Sequence, residues 1–136
     1  VAPAVFSPAS GAEPTITAAG LATALAAGAR QLVDVRAPDR FAGRVEPIDP
    51  VAGHVPGAMN LPFARALGPD QRFRPAAELR ELYVPLLAGR TPADLVFMCG
   101  SGVTACHGIF AMTLAGLPGA TLYPGSWSEW IRAPAR

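Results

Sequence analysis

Between Asp94 and Gly116 an unbroken apolar stretch, Leu95-Val96-Phe97-Met98, runs straight into Cys99-Gly100-Ser101-Gly102 and then into Val103-Thr104-Ala105 and a segment of small and apolar residues. That order predicts a buried strand over 94–98, a tight turn, and a helix over 104–115 ending at Gly116. Two glycines in such a turn let successive backbone N–H groups point inward as an anion-binding nest. The helix start adds the positive end of its dipole. A thiol held there is expected to have a lowered pKa and to exist partly as thiolate, the nucleophilic form. A cysteine at a strand end is more commonly a small buried hydrophobe. The turn and helix after Cys99 set it apart. Cys106, about two helical turns further on, is expected to be core packing with no catalytic role.

The rest of the chain alternates in the same way. Thr15-Ile16-Thr17 offers a helix start for the small-residue stretch over about 18–27, with Gly28 placed to end it. Gln31-Leu32-Val33-Asp34-Val35 reads as a buried strand that delivers Asp34 and Arg36 to its end. Residues 36–57 carry repeated Pro and Gly and read as a long loop, which in a compact domain is usually functional. Ala58-Met59-Asn60-Leu61 is a second short strand, stopped by Pro62. A helix opens at Pro75, with Leu79, Leu82, Leu86 and Leu87 on one face, and Pro85 expected to kink or end it. A last strand covers 120–123, and a turn and short helix cover 125–130. Alternating strands and helices imply an α/β fold with a central parallel sheet and helices on both faces. Active sites in such sheets lie at the carboxyl ends of strands, where Asp34, Arg36 and Cys99 fall.

Composition narrows the function. The chain of 136 residues is the size of one domain and 51% hydrophobic, enough for one core without disulfides. We read residues 1–14 as a linker or arm and 15–136 as the folded domain. All eleven basic residues are arginine, and ten acids leave a net charge of +1, which argues against a nucleic-acid surface. No apolar run approaches the ~20 residues of a membrane span. The first residues lack an initiator Met and a basic n-region, so no signal peptide is read there, and a start at Val1 suggests a piece of a longer chain. The two cysteines make neither a disulfide framework nor a zinc pattern, which fits reduced thiols and a cytoplasmic location. No His has a ligand-spaced partner, so no metal is expected. No cofactor is expected either.

These residues together resemble the rhodanese family. The stretches that carry the resemblance are Leu32-Val33-Asp34-Val35-Arg36, Arg40-Phe41, Gly53-His54-Val55-Pro56-Gly57-Ala58-Met59-Asn60-Leu61-Pro62, Cys99 to Ala105, and Gly125-Ser126-Trp127-Ser128-Glu129-Trp130. They appear in the family's order and span about residues 15–131. The similarity is to the C-terminal, catalytic domain of tandem-domain thiosulfate or 3-mercaptopyruvate sulfurtransferases. It implies a rhodanese-like fold, a cysteine that becomes a persulfide, loop amides that cradle it, and an arginine that binds substrate. Those roles map onto Cys99, onto Gly100 to Ala105 (with Gly100, Gly102, Val103 and Thr104 as substrate-binding), and onto Arg40. It also implies a missing N-terminal rhodanese domain over the active-site mouth, and a thiophilic acceptor such as cyanide, a thiol or a thioredoxin-like protein.

The loop also speaks to the small-molecule sulfur donor. Thiosulfate is a dianion, and family members that prefer it tend to carry basic residues after the cysteine. Gly100 and Ser101 are neutral, which is similar to mercaptopyruvate-preferring members. Arg40 is expected to grip the donor's carboxylate bidentately, and Ser101 to donate a hydrogen bond or relay a proton. Related enzymes often carry a second arginine after a Glu-Pro pair. Here Glu46-Pro47 is followed by Ile48, with Arg44 as the possible substitute. Asp34 and Arg36 are expected to brace neighbouring loops, His54 to be a hydrogen-bonded turn residue, and His107 to have little influence on the thiolate. Trp127 and Trp130 are expected to be core and lid, with Trp127 a candidate for the pocket wall. Two rivals stand beside this reading. A cysteine phosphatase needs an arginine six residues after the cysteine. That position is Ala105, and no arginine lies between Cys99 and Trp130. The alternative from another class is a non-catalytic rhodanese interaction or regulatory module.

Overall fold

The computed structural model describes residues 14–132. The arm read over 1–14 therefore lies outside the described residues, except for Pro14. The elements run in the order α1 (Ala18–Ala26), β1 (Gln31–Asp34), α2 (Pro38–Phe41), β2 (Met59–Asn60), α3 (Ala76–Leu87), β3 (Leu95–Met98), α4 (Val103–Leu114), β4 (Thr121–Leu122) and α5 (Ser126–Trp130). All strand pairings among these are parallel, in the order β2-β1-β3-β4. At the edge, the Leu122 N–H donates to the Pro14 carbonyl at 2.8 Å and the Ile16 N–H to the Leu122 carbonyl at 2.9 Å. Pro14 thus meets the sheet edge, although the sequence reads it as part of the arm.

The central strands are buried on both faces, which is why they read as continuous apolar runs. Their side chains alternate between two cores. Val33, Val35, Leu95 and Phe97 pack with Leu79, Tyr83 and Leu86 of α3 and Ala105, Ala111 and Met112 of α4. Leu32, Val96 and Met98 pack the other way, with Leu21 of α1 and Trp127 and Trp130 of α5. Helices therefore cover both faces, as the alternation predicts. α4 sits close to the sheet because Gly108 has no side chain. A Cβ there would lie 2.9 Å from the Phe97 ring and 3.3 Å from Val35 Cγ1.

Local rules set the boundaries. Thr17 caps α1 by accepting the Gly20 N–H at 3.2 Å. The helix closes with the Gly28 N–H on the Leu25 carbonyl and the Ala29 N–H on the Ala24 carbonyl, a Schellman end. Asp94 belongs to a 3-10 turn (Pro92–Asp94), where its carboxylate caps Thr91, and not to the strand. The stretch 36–57 is not loop throughout. Pro38, with φ pre-set, opens the single turn α2. Pro85 does not end α3, which continues to Leu87. Its missing N–H would have met the Glu81 carbonyl near the end of the helix, so only one bond is lost there.

Strand order reverses between β1 and β3. The chain leaves β1 for β2 on one side and returns with β3 on the other. Crevices outside the carboxyl ends of strands form at such switch points. The register pairs Asp34 with Met98, so the segments that carry Arg36 and Cys99 leave the sheet at the same end.

Candidate active site

Cys99 follows the last residue of β3 and is 2% exposed. Burial alone would raise its thiol pKa. Hydrogen bonds from the Thr104 hydroxyl and from the N–H groups of Ala105, Ser101 and Gly102 outweigh that and hold it below the ordinary thiol value. The turn that produces this nest depends on Gly102. Its φ is +87°, and a Cβ there would lie 2.6 Å from the Pro124 carbonyl oxygen. α4 starts at the next residue, so its N-terminal end also faces the sulfur.

The predicted loop residues divide three ways. Ser101, Gly102 and Thr104 surround the sulfur, joined by Ala105. Gly100 instead faces Arg40. A Cβ at Gly100 would lie 3.5 Å from Arg40 Nη1 and 3.6 Å from Nη2. Val103 opens α4 and is 74% exposed. Cys106 departs from the expectation of core packing. It is exposed rather than packed in the core, and its thiol reaches the Gly102 carbonyl at 3.4 Å. α4 is apolar nearly all round, so its pattern does not reveal which face is covered. Ala105, Gly108, Ala111 and Met112 are buried, while Val103, Cys106, Phe110 and Leu114 face out.

The loop is held from behind by α5. The Cys99 N–H donates to Ser126 Oγ at 3.0 Å, and that hydroxyl donates to the Tyr123 carbonyl at 3.0 Å. The N–H groups of Trp127 and Ser128 donate to the carbonyls of Cys99 and Gly100, both at 3.0 Å. Ser126 is fully buried at φ +52°, a left-handed position that a non-glycine residue keeps only when its surroundings hold it. Nothing in the sequence marks Ser126 for this role, although it lies in the Gly125–Trp130 motif. Ser126→Ala leaves the buried Cys99 N–H without its acceptor and is expected to destabilise the fold by about 1–3 kcal/mol. Thermal melting reads this directly, and a wild-type melting temperature would mean the bond contributes nothing.

A buried ion network supports the long loop. Arg36 reaches Asp34 with Nη2–Oδ2 at 2.7 Å, Glu46 at 3.3 Å and the Gly53 carbonyl at 2.8 Å. Its guanidinium lies 4.8 Å from the Trp127 ring centre. Asp34 and Arg36 are thus braces, as expected. Trp127 is buried and donates Nε1–H to the Val51 carbonyl at 2.8 Å, so it pins the loop. His54 is also a turn residue, with Nδ1 2.8 Å from the Phe41 carbonyl and its ring stacked on Phe41. His107 packs against Phe63 and Phe73, and burial lowers its pKa.

Arg40 reaches Glu46 with Nη2–Oε1 at 2.6 Å and Nε–Oε2 at 3.2 Å, and Asp49 with Nη2–Oδ2 at 3.5 Å. Burial pushes the Glu46 carboxyl up, but hydrogen bonds from Arg40 and from the N–H groups of Asp49 and Ile48 bring it below the ordinary range. Arg44 does not stand in for a second site arginine. It pairs with Asp39, and both side chains are mostly exposed. In the sequence Glu46 stands out only as part of a Glu-Pro pair, and neither Asp49 nor Ser128 stands out. The available signal was two acids close in sequence to two arginines in one long loop.

A cleft of about 310 Å³ lined by Arg65, Arg74, Glu78, Glu81 and Leu82 touches none of the Cys99 loop, and Arg74 is paired with Glu78 within it. Among the described residues, no group of three or more His, Cys, Asp or Glu side chains could hold a metal ion. No helix among them is long and apolar enough to cross a membrane.

The family described as Rhodanese-like domain matches residues 17–133. A probable 3-mercaptopyruvate sulfurtransferase of Pseudomonas aeruginosa is 54% identical over 121 residues, which is 89% of this chain and 43% of that protein. The thiosulfate sulfurtransferase of Rattus norvegicus is 39% identical over 105 residues, 75% of this chain and 35% of that protein. The chain spans less than half the length of these curated relatives. Among solved structures, 3-mercaptopyruvate sulfurtransferase from Leishmania major superposes with a TM-score of 0.64 at 36% identity, covering 77% of this chain and 31% of that one.

Proposed function

The chain belongs to the family of rhodanese-like domains, and from that premise we propose that it carries sulfur for a sulfurtransferase, with Cys99 as the nucleophile and 3-mercaptopyruvate as the preferred donor. The observation that carries this reading is the nest around the Cys99 sulfur, with one hydroxyl and three amides opposing the cost of burial. Such donors stabilise a thiolate and equally the anion of a persulfide.

In this reading the Cys99 thiolate attacks the donor's sulfur. The S–S bond forms with the thiolate's electron pair. The C–S bond breaks with its pair going to the methylene carbon, and the resulting enolate takes a proton to become pyruvate. That proton comes from the S–H group carried over with the sulfur, which leaves the persulfide as its anion, and Ser101, exposed at the loop, is the proposed hydroxyl that relays it. A thiophilic acceptor, such as cyanide or a thiol, then attacks the outer sulfur and releases the Cys99 thiolate. Arg40 is the proposed carboxylate partner, because its guanidinium sits against Gly100. The neutral Gly100 and Ser101 support a monocarboxylate over thiosulfate.

Steady-state transfer to cyanide, with mercaptopyruvate and thiosulfate compared side by side, tests the reading. Mercaptopyruvate is expected to lead in kcat/KM. Arg40→Ala is expected to raise the mercaptopyruvate KM by about 10- to 100-fold, the size of one charged hydrogen bond. An unchanged KM would remove Arg40 from donor binding. Thiosulfate ahead would keep the mechanism and reverse the substrate assignment. No Cys99-dependent transfer from either donor would favour a non-catalytic binding module.

A further inference from the structure

An arginine offers a carboxylate two edges for a bidentate grip, the Nε/Nη2 side and the Nη1/Nη2 end. In Arg40 the Nε/Nη2 side is taken by Glu46. The Nη1/Nη2 end is the one that lies against Gly100 and the cysteine loop. Among the described residues nothing hydrogen-bonds Nη1, while Nη2 also faces Asp49 Oδ2 at 3.5 Å, the outer limit of a hydrogen bond. The bidentate grip expected from sequence is therefore contested, because Asp49 stands at half of the edge a donor must use.

Asp49 is fixed there by the site itself. Its Oδ1 accepts the Ser128 hydroxyl at 2.7 Å, and the Ser128 N–H holds the Gly100 carbonyl at 3.0 Å. Its side chain is only 4% exposed, so water screens its charge poorly. Within this network three carboxylates, Asp34, Glu46 and Asp49, face two guanidinium groups, Arg36 and Arg40.

We propose that Asp49 is a specificity-determining residue: it competes with the donor for the free end of Arg40 and so admits a singly charged carboxylate while repelling a dianion. This rests on the assignment of Arg40 as the donor's partner. Discrimination of this kind works by a repulsive element set against the wrong ligand. Coulomb energy scales with ligand charge, so removing Asp49's charge helps a dianion by about the square of the factor by which it helps a monoanion.

Asp49→Asn tests this, since it keeps shape and the acceptor for Ser128 while removing the charge. The KM for mercaptopyruvate is expected to fall by about 3-fold and that for thiosulfate by about 10-fold. A merely structural role would raise both or lower kcat instead. A second readout needs no turnover. Pyruvate and sulfate, as inert mono- and dianions, are titrated for protection of Cys99 against iodoacetamide. Protection by sulfate is expected to tighten more than protection by pyruvate in Asp49→Asn. If both protection constants are unchanged, weaker, or shifted by one common factor, the proposal is wrong. If the wild type transfers no sulfur, the sulfurtransferase reading fails while the alkylation comparison still decides the role of Asp49.

Discussion

Cys99→Ser is expected to reduce sulfur transfer by at least about 10³-fold while leaving the fold intact. The serine hydroxyl is smaller than the thiol and fits the same nest, so the hydrogen bonds from Ser101, Gly102, Thr104 and Ala105 have an acceptor to meet. A hydroxyl is not ionised near neutral pH, and it forms no persulfide. Intact-mass measurement after donor treatment is expected to show the wild type heavier by about 32 Da, one sulfur atom, and Cys99→Ser unchanged. Cys106 is the internal control, because it is exposed and lies outside the nest. Sulfur found on Cys106, or turnover kept by Cys99→Ser, would overturn the assignment.

The same nest has a pH consequence. Hydrogen bonding holds the folded Cys99 pKa below its unfolded value. A group depressed in this way adds stability that is fully present above the unfolded thiol pKa and is lost as pH falls through the folded one. Reactivity follows the same titration. Alkylation of Cys99 is expected to reach its plateau at lower pH than alkylation of a free thiol, and Thr104→Val is expected to move that midpoint upward. An unmoved midpoint would mean that the Thr104 hydroxyl does not stabilise the thiolate.

How much of this was legible in the sequence depended on the range of the interaction. Leu95-Val96-Phe97-Met98 announces itself because a parallel strand covered on both faces must be apolar throughout. The cysteine turn is legible because its glycines and the helix start are local. Ser126 was hidden, since its partner Cys99 lies 27 positions away and a buried serine has no periodic signature. Asp49 was hidden for a related reason. Its partners are Arg40, nine positions away in a stretch without period, and Ser128, 79 positions away. The exposure of Cys106 was hidden by the opposite fault, since hydrophobicity on every side of α4 leaves no stripe to read. The short turn α2 was masked by surrounding Pro and Gly, although Pro38 is a good first residue for a helix.

Gly102→Ala is expected to destabilise the protein by about 2–5 kcal/mol, combining a left-handed backbone penalty of about 1–2 kcal/mol with an overpacking cost of about 1–3 kcal/mol. Both parts arise at one atom. The φ of +87° disfavours any Cβ, and that Cβ would stand 2.6 Å from the Pro124 carbonyl oxygen. A flexible side chain could give way at such a distance, but Pro124 presents backbone between β4 and α5. Relief must therefore come from moving the turn or from shifting α5, and each damages the site. Moving the turn takes the Gly102 amide off the Cys99 sulfur. Shifting α5 strains the bonds from Ser126, Trp127 and Ser128 to residues 99 and 100. Denaturant unfolding and the Cys99 alkylation midpoint are expected to worsen together in Gly102→Ala. Gly108→Ala separates the effects, since its Cβ would press on Phe97 and Val35 in the core and not on the turn. It is expected to lower stability with a smaller change in the alkylation midpoint. If the two variants shift that midpoint equally, the nest is not what lowers the thiol pKa.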